Sequence, residues 1–113
     1  MIKVHRGDVI LAWGPDGKGG LKERPLVVFR DAPKNSDTIV VYCTTQNDGD
    51  ESNTILVKAD SEKGIEMGID DDTYIRPFNI SPIKAKFMIR KIGKCPYMQE
   101  IQMLADKKMA QGK

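Results

Sequence analysis

Apolar residues along this chain gather into short runs separated by turn residues, a pattern that predicts strands rather than helices. Val9-Ile10-Leu11-Ala12-Trp13, Arg24-Pro25-Leu26-Val27-Val28-Phe29 and Thr38-Ile39-Val40-Val41-Tyr42-Cys43-Thr44 are compact and rich in β-branched residues, as buried strands are. Residues 54–57 predict a fourth strand and residues 73–78 a fifth, with Pro77 pushing the latter towards a sheet edge or bulge. Residues 87–92 predict a sixth, although strand and helix patterns overlap there. Between them, residues 58–72 carry Gly64 and Gly68 among scattered charges and predict an irregular connection. The period changes only near the end of the chain. Met98, Ile101, Leu104, Ala105 and Met109 recur at three- and four-residue steps, predicting a helix with Pro96 at its first position. Lys107 and Lys108 complement the dipole of its last turn. The expected fold is mainly β, one domain over residues 1–113, a small SH3-like barrel with a C-terminal α-helix.

Composition leaves this picture unchanged. With 113 residues, 40% hydrophobic and 30% charged, the chain is long enough for a core without covalent staples. Cys43 and Cys95 are in no CxxC spacing, which argues against a disulfide framework or zinc knuckle, and Cys43 reads as core. Lys3, His5, Arg6 and Asp8 interrupt any leading apolar run, and no segment approaches membrane-spanning length. A cytoplasmic protein is expected.

Charge adds a polarity. Residues 47–72 hold nine acidic and two basic side chains, and residues 81–113 hold eight basic and two acidic ones. The basic third suits a polyanion, although a charge block is more often a solvated face.

Candidate chemistry is sparse. The single histidine, His5, limits schemes built on imidazole. Asp70-Asp71-Asp72 are adjacent and point in different directions, so no metal site is expected from them. Gly14-Pro15-Asp16-Gly17-Lys18-Gly19-Gly20 has Gly19 where a phosphate loop needs Ser or Thr, and reads as a lid or connector flanked by Lys18 and Lys22. Arg24, Thr44, Thr45, Gln46 and Arg76 remain, a set of hydrogen-bond donors. An arginine fork matches phosphate oxygens and a threonine hydroxyl donates to an anion. On residue types alone, a surface arginine and the strand preference of threonine are the better account of them.

Taken in order, Arg6-Gly7-Asp8-Val9-Ile10-Leu11, the glycine-rich loop, Glu23-Arg24-Pro25-Leu26-Val27-Val28, Cys43-Thr44-Thr45-Gln46, Tyr74-Ile75-Arg76 and Lys91-Ile92-Gly93-Lys94 resemble the MazF/PemK-type toxins, ribonuclease halves of bacterial toxin–antitoxin pairs. The resemblance spans about residues 5–109. It implies a homodimer, an antitoxin partner, single-stranded RNA (mRNA) as substrate, and cleavage to a cyclic phosphate without metal or other cofactor. It makes Arg24 and Thr44 the catalytic pair. RNA contacts are then expected from Trp13, Lys18, Lys22, Thr45, Gln46, Arg76 and Phe78. Some members carry Arg-x-Asp on the later strand. Here Arg76 is kept and Phe78 stands in the aspartate's place, which leaves the general base unassigned.

Overall fold

The computed structural model describes residues 3–15, 18–32, 37–45 and 53–111. Strand β1 (Asp8–Pro15) pairs with β2 (Leu21–Arg30), and β2 with β3 (Thr38–Thr44). Beyond β3 lie β5 (Thr73–Ile83) and the short β4 (Ile55–Val57), and β6 (Met88–Lys94) closes the other side against β1. The antiparallel order is β4-β5-β3-β2-β1-β6, a curled half-barrel with a C-terminal helix, α2 (Met98–Gln111). The mainly-β small barrel expected from the sequence is the fold observed.

The central strands read as continuous apolar runs because both sheet faces are covered. Val9, Val27, Val41, Cys43 and Ile75 pack on one face with Ile101 and Ala105 of α2. Ile10, Ala12, Leu26, Val28, Val40 and Ile83 form the other face, with Phe87 of a 3₁₀ turn (Ala85–Phe87) packed against them. Each fully buried aliphatic side chain contributes on the order of 1.5–3 kcal/mol.

Pro77 sits where the sequence suggested an irregularity. Against β3 the register runs Val41↔Ile80 and then Cys43↔Ile75, so β5 spends three extra residues there. β4 reaches only residues 73–75, so the missing N–H of Pro77 breaks no ladder on that side. An odd excess also reverses the alternation, and Ile75 and Ile80 pack in the same cluster.

Three details differ from the sequence-based expectation. Residues 58–72 contain a helix, α1 (Glu62–Met67), in place of an irregular stretch. Ser61 caps it by accepting from the Gly64 amide at 3.1 Å, and Gly68 ends it at φ 76°. The glycines that suggested irregularity are there for close approach. A Cβ on Gly64 would lie 2.0 Å from the Lys58 carbonyl oxygen, and one on Gly68 2.0 Å from that of Ile92. Helix α2 begins at Met98, two residues after Pro96, its first turn closed by Ile101 N–H to the Tyr97 carbonyl at 2.9 Å. Of its apolar residues Ile101 and Ala105 are core and Met98 packs against them, whereas Met109 is 66% exposed.

Arg6-Gly7-Asp8 proves to be a structural element. Arg6 donates to the Phe29 carbonyl (2.6 Å) and to Gln102 Oε1 (2.9 Å), and lies over the Phe29 ring, tying α2 to β2. Gly7 turns at φ 95°, with its amide on the Val28 carbonyl. Asp8 accepts from the His5 amide at 2.8 Å and pairs with Lys91 at 3.3 Å. His5 itself is at the surface beside Asp31, whose carboxyl is held below the usual range by the His5 side chain and the Arg6 amide.

Both cysteines are free and buried. Burial pushes the Cys43 thiol up, and raises Cys95 from its ordinary 9.0 to about 11. The folded state therefore disfavours the thiolates. Their contribution to stability is intact below the ordinary thiol range and is lost as pH climbs towards about 11. A thiol titration with Ellman's reagent at pH 8 should find neither cysteine in the native protein and both in denaturant; rapid labelling of the native protein would contradict this burial.

Candidate active site

The β2–β3 ladder runs from Arg30↔Ile39 to Leu26↔Tyr42 and stops. Beyond it the two strands part. Arg24 is held by β1, opposite Ala12, and Thr44 by β5, opposite Tyr74. Strand alternation puts Arg24 on the side of Leu26 and Val28, and Thr44 on the side of Val40 and Tyr42, which is the same face of the sheet. Glu23 and Thr45 fall on the opposite side, where both line a different groove.

The groove that Arg24 lines has a volume of about 400 Å³ and mainly apolar walls, among them Trp13, Leu21, Tyr42 and Phe87. Gly14, Pro15 and Leu21 of the β1–β2 hairpin form one wall. Arg24 Nε donates to the Pro15 carbonyl at 3.0 Å, and its stem passes so close to Gly14 that a Cβ there would sit 3.2 Å from Arg24 Cδ. With Nε engaged, the end-on pair of Nη groups is the fork left for a bidentate anion contact. Thr44 is half-buried and is not among the residues lining this groove. The sequence reading missed two charged groups on its wall, Asp37 and Lys84. Asp37 directly precedes β3 and Lys84 the 3₁₀ turn, both at the other end of the β2–β3 ladder from Arg24, and residue spacing gives no sign that they share a groove with it.

The groove beyond the other face is polar, about 510 Å³, and sets Glu23, Asp70 and Asp71 facing Arg90 and Lys91. The acidic and basic blocks thus partly answer one another, with Lys91 also paired to Asp8. Asp72 turns away. It accepts from the Ala59 amide at 2.9 Å and pairs with Lys58 at 3.3 Å, and the amide bond is the larger cause of its lowered pKa. Among the described residues no three His, Cys, Asp or Glu side chains are grouped to hold a metal ion.

The other expected contacts are scattered. Trp13 is 43% exposed at the groove's edge. Lys22 lies opposite Gly14 on the exposed hairpin and Lys18 is exposed at its end. Arg76 and Phe78 sit in the β5 bulge and line neither groove. Lys108 covers the Phe78 ring at 5.4 Å and donates to its carbonyl at 2.7 Å. Gln46 lies outside the described residues. Among the described residues no helix is long and apolar enough to cross a membrane. No protein-family model matches the chain, and no curated protein does.

Proposed function

We propose that this protein is a metal-independent, sequence-preferring endoribonuclease of the MazF/PemK type, acting in the cytoplasm as the toxin half of a toxin–antitoxin pair. One observation carries the reading: Arg24 and Thr44 stand on the same face at the mouths of adjacent strands, beside a groove with Trp13, Tyr42 and Phe87 on its walls. Arginine and hydroxyl donors suit the charge that gathers on a phosphorane, and aromatic rings suit unstacked bases of single-stranded RNA. The 2′-hydroxyl attacks the adjacent phosphorus and the bond to the 5′-oxygen breaks, leaving a cyclic phosphate. The reading includes a homodimer, for which Met103 and Met109 offer exposed apolar surface on α2. It also includes an acidic antitoxin tail as inhibitor. A monomeric mass in light scattering at micromolar concentration would remove the dimer.

A second reading is a barrel of this kind that binds nucleic acid or protein without cleaving. The apolar character of the groove, and the absence of Thr44 from its wall, favour it. Incubation with a long RNA in excess EDTA separates the two. Discrete fragments ending in cyclic phosphates are expected, and intact RNA at stoichiometric protein would leave the binding module.

A further inference from the structure

An arginine grips a phosphate well only if its guanidinium is already held, because a long side chain at a surface otherwise samples many rotamers. The stem of Arg24 takes a diagonal path. The residue opposite it on β1 is Ala12, whereas its Nε reaches further along that strand to the Pro15 carbonyl, at 3.0 Å. Between the two lies Gly14, on the same face of β1 as Ala12 by strand alternation. A Cβ built on Gly14 falls 3.2 Å from Arg24 Cδ, 3.8 Å from Nε and 3.9 Å from Cγ. Ordinary carbon contact is about 3.5–4.0 Å, so a side chain at this position needs Cδ to give way. Cδ is one bond from the donor nitrogen, and moving it draws Nε off the carbonyl. Gly14 is not one of the glycines with positive φ. What the position requires is space, not an unusual backbone.

We propose that Gly14 and the Pro15 carbonyl position Arg24 for the ribonuclease reaction assigned above, on which this inference rests. The missing side chain at Gly14 leaves a channel for the arginine stem, and the carbonyl at its end takes Nε. Held at both points, the guanidinium keeps its two Nη groups as a fork set before substrate arrives. Gly14 acts through Arg24, with no charge or hydrogen bond of its own to the phosphate.

Wild type, Gly14→Ala, Gly14→Val, Arg24→Ala and the double variant of Gly14→Val with Arg24→Ala would be compared on one long RNA in excess EDTA, with kcat and KM measured. Displacing a catalytic group by about 1 Å can cost about a hundredfold in rate. Gly14→Ala should therefore lower kcat severalfold and Gly14→Val about tenfold to a hundredfold, with KM moving by less than about threefold. In the Arg24→Ala background the valine should change kcat by less than about threefold, because no guanidinium is left to displace. Nitrogen-15 spectra of the RNA-free protein read the geometry directly. The Arg24 Nε–H signal, identified by its loss in Arg24→Ala, should stand apart from those of exposed arginines and move to their position in Gly14→Val. Valine suits a strand, so the variants are expected to fold, and equal thermal midpoints check this. Three results each overturn the positioning role alone: Gly14→Val cleaving within about threefold of wild type, an equal loss in the Arg24→Ala background, or an unmoved Nε–H signal. A wild type that cleaves no RNA overturns the reaction and the role together.

Discussion

Arg24→Ala is expected to lower RNA cleavage by roughly 10²–10³-fold, the usual loss when one preorganised donor to a developing oxyanion is removed. Thr44→Ala should lose a similar or smaller amount. Thr45→Ala should lose much less, because alternation turns that residue to the groove shared with Glu23. Arg24→Lys separates charge from shape. It keeps a cation and gives up both the Nη fork and the Nε bond that holds the Pro15 carbonyl. A lysine variant as slow as the alanine one would assign the effect to the fork. Thermal midpoints by circular dichroism should stay near wild type, since Arg24 and Thr44 lie outside both core clusters. Near-wild-type cleavage by Arg24→Ala, or activity lost only in step with unfolding, would show that the site lies elsewhere.

The largest stability loss is expected at Gly68. Its φ of 76° costs a side-chain-bearing residue about 1–2 kcal/mol. The added Cβ would also meet the Ile92 carbonyl oxygen at 2.0 Å, backbone that cannot rotate away. Overpacking of this kind costs a further 1–3 kcal/mol or so, giving a total of about 2–5 kcal/mol for Gly68→Ala. In a domain of this length the thermal midpoint should drop by roughly 10 °C or more. Gly19→Ala is the internal control, because Gly19 has φ 89° with nothing within 4 Å of a built Cβ. It carries the conformational cost without the clash. If Gly68→Ala were no less stable than Gly19→Ala, the close crossing of α1 and β6 would be contradicted.

Much of the sheet was legible because its central strands are buried on both faces, and a short, continuous β-branched run suits little besides such a strand. The irregularity at Pro77 was legible for a chemical reason, its missing N–H. Helix α1 was not. Gly64 and Gly68 weigh against a helix on propensity, and what outweighs them is tertiary: only glycine fits beneath the Lys58 and Ile92 carbonyls. Ser61 as N-cap and Gly68 as C-terminal cap were the local signals available. How much of the apolar stripe on α2 would be covered was not legible either, because three-residue spacing does not tell which of Met98, Ile101 and Met109 the sheet will cover. At the candidate site, the neighbouring strand ends of Arg24 and Thr44 were readable from chain order. Asp37 and Lys84 were not, because they line the same groove from the other end of the β2–β3 ladder and no spacing in the sequence shows a groove spanning both ends.

The stopping of the β2–β3 ladder at Leu26↔Tyr42 has a mechanical consequence. Arg24 rides on one stiff ribbon, β1 with β2, and Thr44 on another, β3 with β5. The last pairing that ties the two ribbons together is Leu26 with Tyr42. The backbone spacing of Arg24 and Thr44 is therefore anchored at two residues with no acid–base or anion-binding role to draw attention to them.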